Sequence, residues 1–333
     1  MSVLTYVLLL VAFALLLGGA LLFTNAVEWA GYRLNLGSGA VGSILAAVAT
    51  ALPESVIPVV AILTGEQANS IAIGAIIGAP FLLGTLGMFL VGMTAIAYRG
   101  RRSQDRELVL HRETTERDLA VFLGFFAAAV VLGIVGPRWL HVMAAVLFVL
   151  GYGAYVVLSV RGGGEAAEQE ELSDLYFDPT KQDPPRNVQI VLQLLVGLGA
   201  IVGGAHLFVT EIEQIAHAFG ISALLLALVI APLATELPEK ANSVIWVRSG
   251  KDSLALGNIT GAMVFQSMLP VAIGMAFTPW DLSTGALIAS FAGIVGGLLA
   301  LVTLRSSRRF PVPQLCLWGV LYVGAIVAIV ITI

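Results

Sequence analysis

The sequence has 333 residues, of which 58% are hydrophobic and only 11% are charged, and its mean hydropathy is +0.95. Soluble domains carry about 25% charged residues, so this composition indicates an integral membrane protein with lipid around most of its surface. The net charge of −4 comes from residues in short loops, and no basic patch that would bind nucleic acid is visible. A single cysteine, Cys316, excludes an intrachain disulfide.

Ten apolar stretches are long enough to cross a bilayer, which takes about 20 residues in a helix. They lie at 3–30, 37–63, 69–98, 118–136, 139–160, 188–215, 220–247, 253–277, 284–304 and 311–332. A polar segment rich in Gly, Glu, Asp and Pro separates the fifth stretch from the sixth. The predicted organisation is an N-terminal five-helix repeat in 1–160, a linker in 161–187 and a C-terminal five-helix repeat in 188–333.

The basic residues predict the orientation of the chain in the membrane. Of the 17 Lys and Arg residues, 15 fall on one side of the ten-span arrangement, Arg138 falls on the other side and Lys240 lies within a span. Basic residues concentrate in cytoplasmic loops. We therefore expect an inner-membrane protein with both termini outside and a cytoplasmic linker. The N-terminal run lacks a basic segment and a clear cleavage site, which favours a retained first span over a signal peptide.

The two halves of the chain share sequence patterns at a spacing of 183 to 185 residues. The matching segments are 18–23 with 203–208, 49–54 with 234–239, and 72–79 with 255–262. Five spans are an odd number, so the second copy enters the membrane from the opposite side. Inverted repeats of this kind are typical of secondary transporters, whose site lies at the bilayer midplane where the repeats meet.

The matching segments 49–54 and 234–239 each place a proline inside an apolar run. Pro53 and Pro238 cannot donate a backbone hydrogen bond, and each proline ring clashes with the carbonyl four residues earlier. We therefore expect helices 2 and 7 to be broken at Ala49 and Ala234. A carbonyl freed at membrane depth faces protein or a cavity, where it is a ready ligand for a hard cation.

Each proline turn also carries a threonine and a glutamate four residues apart. This spacing puts Thr50 beside Glu54, and Thr235 beside Glu239, on one face of a helix. Two such half-sites would supply about six oxygens, which suits Ca²⁺ better than a transition metal. The alternative for each threonine is a hydroxyl bonded back to its own helix, and a lone glutamate could be a neutral packing residue.

At these residues the chain resembles the cation/calcium exchanger superfamily, which includes sodium/calcium and proton/calcium exchangers. Its members carry two Gly-Thr-Ser-Leu-Pro-Glu-like turns, each followed one span later by a Gly-Asn-x-x-Gly-Ser-Asn-like helix. The turns match 49–54 and 234–239, and the helices match 74–80 and 257–263. The resemblance implies an all-α fold of ten membrane helices in which the first and sixth spans slide across the rest. It also implies that the family's ligands fall on Glu54, Glu239, Thr50 and Thr235.

Several positions depart from the family pattern, and most of them lose an oxygen. The departing residues are Ala51, Glu236, Ala79, Ala262, Leu83 and Gln266. In the family, the corresponding serines and acids build the sodium sites, so their loss argues against a three-sodium stoichiometry. Gln266 remains as an oxygen donor on the eighth span, and Asn258 keeps the Gly-Asn pair, either as an ion ligand or as a cap for helix packing.

Glu236 and Lys240 leave three interpretations open. Repulsion between Glu236 and Glu239, three residues apart, would favour a carboxylate that exchanges a proton. Lys240, four residues after Glu236, would instead form an ion pair that makes Glu236 structural. In the third interpretation, the Lys240 ammonium occupies a vacated sodium position.

These patterns predict a secondary antiporter that exchanges a divalent cation, most simply Ca²⁺, for H⁺ or Na⁺ by alternating access. No cofactor and no obligate protein partner are expected; the partners are metal cations and membrane lipid. An intramembrane enzyme is not expected, because the chain has no His-Glu-x-x-His helix. The alternative is a transport-inactive cation-binding receptor or scaffold, which calcium would stabilise without any ion flux.

Overall fold

The computed structural model describes residues 3–33, 52–65, 68–98, 107–108, 112–161, 172–180, 184–248, 252–307, 310–311 and 316–332. In the N-terminal half the helices are α1 (Val3–Arg33), α2 (Leu52–Thr64), α3 (Asn69–Leu82), α4 (Met88–Ala97), α5 (Arg112–Val135) and α6 (Arg138–Arg161). A π-helical turn, Leu83–Gly87, joins α3 to α4 without a break in the span.

In the C-terminal half the helices are α7 (Asn187–Phe219), α8 (Ala223–Thr235), α9 (Leu237–Arg248), α10 (Asp252–Phe277), α11 (Thr284–Ser307) and α12 (Cys316–Thr332). Seven helical segments of the described chain are long and apolar enough to cross a membrane by themselves. Three apolar helices are shorter: Glu54–Thr64, Ala223–Leu233 and Cys316–Thr332. The predicted all-α membrane class is confirmed.

Two spans form the centre of the bundle. In the continuous segment Asn69–Ala97, 83% of the apolar window is buried, and in α10 the share is 72%, against 28% in α1 and 17% in α6. A helix that is apolar on every side is expected in the interior of a bundle. The outer helices expose large apolar side chains such as Leu147 and Leu195, as lipid contact requires.

Close backbone contact joins α3 to α8, a helix of the other half. A Cβ atom at Gly74 would lie 2.6 Å from the carbonyl oxygen of Leu224, and one at Gly78 would collide with the carbonyl oxygen of Leu228 and lie 2.7 Å from Pro232. Small residues permit this approach, which maximises van der Waals contact between membrane helices. The first half is therefore packed directly against the second half's proline-containing helix.

The longest helices, α1 and α7, pack as an antiparallel pair whose contacts repeat. A Cβ atom at Gly19 would lie 2.9 Å from the backbone of both Gly197 and Ile201, and one at Gly204 would approach Ala12 and Leu16 in the same way. In the sequence Gly197, Ile201 and Gly204 stand 185 residues after Ala12, Leu16 and Gly19. The interface therefore follows the spacing of the internal repeat.

Part of the predicted linker is docked onto one end of this helix pair. Gln193 is fully buried; its amide nitrogen donates to Asn25 Oδ1 at 2.8 Å and its Oε1 accepts the backbone N–H of Phe177 at 2.9 Å. Asn25 and Trp29 both donate to the carbonyl of Ser173. The described linker residues thus tie the C-terminal end of α1 to the N-terminal end of α7.

Two basic loops lie on a common face of the bundle. The two-residue strands β1 (Glu107–Leu108) and β2 (Phe310–Pro311) pair in antiparallel fashion, and Arg305 lies 3.7 Å from Glu116. The loops that follow α4 and α11 therefore meet, in agreement with their predicted placement on the same side of the membrane.

Arg138, the basic residue predicted on the opposite side, has a structural role. Its guanidinium donates to the carbonyl of Met275 at 2.7 Å and to the carbonyls of Ala276 and Thr278. These carbonyls belong to the C-terminal end of α10, where backbone oxygens lack helical partners and a cation is favoured. Arg138 thus caps a central helix. This structural role accounts for a basic residue on the side of the membrane where basic residues are otherwise not predicted.

We predict that Gly78→Ala destabilises the protein, because its methyl group would collide with the backbone of α8. Overpacking of this kind costs about 1–3 kcal/mol, so the midpoint of thermal unfolding in detergent should fall. The matched control is Gly153→Ala on the exposed face of α6, where a Cβ meets nothing within 4 Å. Equal midpoints for the two variants would contradict the close crossing of α3 and α8.

Candidate ion-binding site

The first predicted carboxylate is buried in the interior. Glu54 is the third residue of α2 and is only 5% exposed. The helix α2 packs against α3, α7 and α10, so Glu54 stands at the positive end of a helix that contacts both halves. Ala49 and Thr50, predicted to complete this half-site, lie outside the described residues.

The second turn interrupts its span at one residue. Helix α8 ends at Thr235 and α9 begins at Leu237, with Glu236 between them at φ −88° and ψ −4°. The Glu236 N–H donates to the carbonyl of Pro232, and the Glu236 carbonyl accepts the N–H of Lys240, both at 3.0 Å. The sequence predicted that the helix opens at Ala234. The observed interruption lies two residues later, at Glu236. The side chains of Ala234 and Glu239 are not among those described.

Thr235 is buried and is bonded to its own helix. Its hydroxyl donates to the carbonyl of Ala231 at 3.1 Å, which is the alternative interpretation of the sequence pattern. This bond uses the hydroxyl proton and leaves the oxygen lone pairs available to accept a bond or to coordinate a cation.

Two further predicted oxygen donors lie on α10. Gln266 is 2% exposed, and its Oε1 makes no hydrogen bond to any described residue. Because a buried polar atom without a partner is costly, this carbonyl oxygen is suited to an ion or a water molecule. Asn258, two turns earlier on the same helix, is half-buried.

Glu236 and Lys240 form a buried ion pair. Lys240 Nζ lies 3.1 Å from Glu236 Oε2, and their side chains are 7% and 2% exposed. The lysine stem reaches the π-helical turn, since a Cβ atom at Gly87 would lie 3.5 Å from Lys240 Cε. The sequence left three interpretations of these residues open. This geometry favours the two that use the Lys240 ammonium as a fixed charge over the one in which Glu236 exchanges a proton.

The third span of the first half contributes no oxygen ligand where the family pattern has one. Ala79 and Leu83 are 1% and 0% exposed, and the buried residues from Ile71 to Leu83 are all apolar or glycine. Ala262, the counterpart of Ala79 on α10, is half-buried and equally inert. The walls of the site are therefore apolar on the α3 side.

A second buried carboxylate cluster was missed in the sequence. Asp118 on α5 is 2% exposed and accepts hydrogen bonds from Tyr155 at 2.9 Å and Thr260 at 3.2 Å, beside Arg117 at 3.1 Å. Thr260 lies on the repeat helix α10, next to Asn258 in the same turn. The cluster fixes α10 against α5 and α6. The sequence indicated this cluster only through the acidic side chain of Asp118 at the first residue of the predicted span 118–136.

Comparison with known proteins identifies the class of this chain. The sequence pattern of the family described as "Sodium/calcium exchanger protein" matches residues 4–161 and 189–332. The chain belongs to this family. An exchanger is a secondary transporter and not an enzyme. This agrees with the sequence analysis, which predicted a secondary antiporter and did not expect an intramembrane enzyme.

Individual relatives of the exchanger cover nearly its whole length. The "Putative antiporter CaxA" of Alkalimonas amylolytica is 26% identical over 320 residues, which are 95% of each chain. The crystal structure of the H⁺/Ca²⁺ exchanger CAX matches 98% of this chain and 84% of its own at a TM-score of 0.72 and 20% identity. The sodium-calcium exchanger NCX_Mj matches 98% and 99% at a TM-score of 0.61 and 24% identity. At these identities the two structures show a common fold.

We predict that Tyr155→Phe loosens the contact of α5 and α6 with α10. The variant removes one hydrogen bond to a buried carboxylate, and bonds to charged groups contribute about 1.5–3 kcal/mol. Thermal unfolding in detergent should therefore occur at a lower temperature. Tyr152→Phe is the matched control, because the Tyr152 ring packs edge-on against Phe265 and its hydroxyl makes no hydrogen bond to a described residue. A midpoint unaffected by Tyr155→Phe would show that the Asp118 cluster contributes nothing to stability.

Proposed function

We propose that the chain is a ten-span exchanger built from two inverted repeats, 1–160 and 188–333, joined by a cytoplasmic linker, 161–187. The contacts between α1 and α7 support the repeat, because residues 185 positions apart exchange roles across the interface. The described interruption at Glu236 supports a broken seventh span. We propose a matching break of the second span at Ala49 to Pro53. The inner membrane, with both termini outside, follows from the distribution of basic residues.

The exchanged ion is a divalent cation, Ca²⁺. The observation that carries this proposal is the buried carboxylate of Glu54, on a helix that contacts both halves in a chain of the exchanger family. A carboxylate at membrane depth is costly and is typically functional. The residues that match the family's motifs offer carboxylate, hydroxyl, amide and carbonyl oxygens and include no Cys or His, so a hard cation fits best.

The proposed ligands come from both proline turns and from α10. Glu54 and Glu239 are the central ligands. Oxygens of the flanking turn residues and of two α10 amides complete the set: Thr50, Thr235, the carbonyls of Ala49 and Ala234, Gln266 and Asn258. The cation and its counter-ions compete for the same two carboxylates, so either can occupy the site but not both. Alternating access then gives exchange without any covalent chemistry.

The moving part is the α1–α7 pair, as the family resemblance implies. Its antiparallel contacts and the docked linker residues hold the two helices together as one unit. The unit packs against α2 and α8, over which it can slide, and its outer surface carries exposed apolar side chains such as Leu195.

The counter-ion is H⁺. The buried wall from Ile71 to Leu83 supplies no oxygen in place of the family's serine and acid, so the first-half positions that would coordinate Na⁺ are apolar. Protons need only the carboxylates that also bind the divalent cation. Sodium exchange remains the alternative that experiment separates from proton exchange.

We predict that Glu54→Gln and Glu239→Gln each abolish ⁴⁵Ca²⁺ uptake into proteoliposomes, because the neutral amide neither balances the cation's charge nor releases a proton. Glu213→Gln, a half-buried glutamate of α7, is the control and should keep uptake within about twofold. Unchanged uptake in either of the first two variants would refute the ligand assignment. Calcium-dependent stabilisation without uptake in the wild type would instead indicate a receptor or scaffold.

We predict that an imposed pH gradient drives Ca²⁺ movement in sodium-free proteoliposomes. With an acidic exterior, protons should enter the vesicle and Ca²⁺ should leave it. Collapse of the gradient with a protonophore should abolish that movement. A Na⁺ gradient imposed at equal pH on both sides is the matched comparison and should drive little flux. Flux that requires Na⁺ and ignores the pH gradient would show that Na⁺ is the counter-ion.

A further inference from the structure

We propose that Lys240 is a permanently bound cation of the ion site, so that each cycle exchanges one divalent cation for two monovalent ions and moves no net charge. This inference rests on the proposed exchange function and adds to it the stoichiometry and the response to membrane potential. It assigns Lys240 as a residue that sets the number of counter-ions.

The first supporting observation is the geometry of the Glu236–Lys240 pair. The ammonium and the carboxylate lie 3.1 Å apart and are both almost fully buried. In a low-dielectric interior, removing one partner of such a pair leaves an uncompensated charge, which is strongly unfavourable. The Lys240 charge therefore stays in the protein throughout the cycle and is balanced by Glu236.

The second observation is the place that the lysine occupies. Its stem extends from α9 toward Gly87 in the π-helical turn, and Ile259 of α10 borders the same glycine. This turn begins at Leu83, where the family pattern has an Asn or Asp. The chain thus lacks a side-chain oxygen at Leu83 and carries an ammonium group on the neighbouring helix. A resident cation near this position removes the need for a transported one.

The third step is the count of charges at the two proline turns. They carry three carboxylates, Glu54, Glu236 and Glu239, and one ammonium, Lys240. The ion pair contributes zero, so the net charge of the site is −2, which one divalent cation or two monovalent ions neutralise. Since uncompensated charge at membrane depth is costly, both loaded forms are expected to be neutral. The four other buried acids of the described chain lie outside these turns: Asp118 on α5, Asp178 in the linker, Glu211 on α7 and Asp252 in the first turn of α10.

Three variants of the full chain test the count. Lys240→Met removes the ammonium that balances the Glu236 charge and should recruit a third monovalent ion. Glu236→Gln leaves Lys240 without its partner and should reduce the number to one. The double variant, Glu236→Gln with Lys240→Met, removes both charges and should restore two.

The measurement is the steady-state Ca²⁺ ratio across proteoliposomes at a fixed counter-ion gradient, with membrane potentials set by potassium and valinomycin. In the wild type and the double variant, the ratio should be independent of potential. Moving one net charge per cycle corresponds to about 2.3 kcal/mol per 100 mV, so the ratio in Lys240→Met should shift about 50-fold per 100 mV. In Glu236→Gln it should shift by the same factor in the opposite direction.

The outcomes separate this inference from the proposed function. A wild-type ratio that shifts with potential, or single variants that stay independent of it, would overturn the inference while leaving exchange intact. Absence of any wild-type Ca²⁺ flux would overturn the proposed function itself. If Lys240→Met fails to fold, the wild type, Glu236→Gln and the double variant still decide the matter.

Discussion

The crossing of α3 and α8 at Gly74 and Gly78 is the contact on which the rest of the structure depends. At this crossing the two backbones touch, and any side chain at Gly78 would separate them. The helix α3 is buried on every side, so its position is determined by the helices that it contacts. The interruption at Glu236 follows α8 immediately after the crossing. A contact made by two glycines thus sets the depth and orientation of the polar turn between the halves.

The buried charges follow from this placement. A membrane interior tolerates Glu54, Glu236 and Lys240 only where protein surrounds them, and the apolar wall of α3 provides that enclosure on one side. The enclosure also excludes water, which strengthens the attraction between Glu236 and Lys240 and raises the cost of leaving either one alone. Glu54 lies on a separate helix, so the pair and the proposed cation ligand are held by different elements.

The sequence predicted the apolar helices, the repeat spacing and the buried positions of Glu54 and Thr235, because hydrophobic length and internal similarity are local properties of the chain. It did not predict the Asp118 cluster, whose partners Tyr155 and Thr260 lie 37 and 142 residues away. The interruption at Glu236 falls between Ala234 and Pro238, the two residues whose helical hydrogen bond a proline cannot make. The assignment of ion ligands, Glu54 and Thr235 as well as Thr50 and Glu239, remains a prediction.

The α1–α7 pair shows how symmetry and its violation coexist in one fold. The glycine contacts treat the two helices as equivalent, since each presents the same repeat positions to the other. The linker breaks this equivalence, because Gln193, Asn25 and Trp29 bind its described residues at one end of the pair. A sliding unit with identical helices would have no built-in preference for either side of the membrane. Docked residues at one end make the two ends different, which gives the fold a structural source of preference between the two orientations.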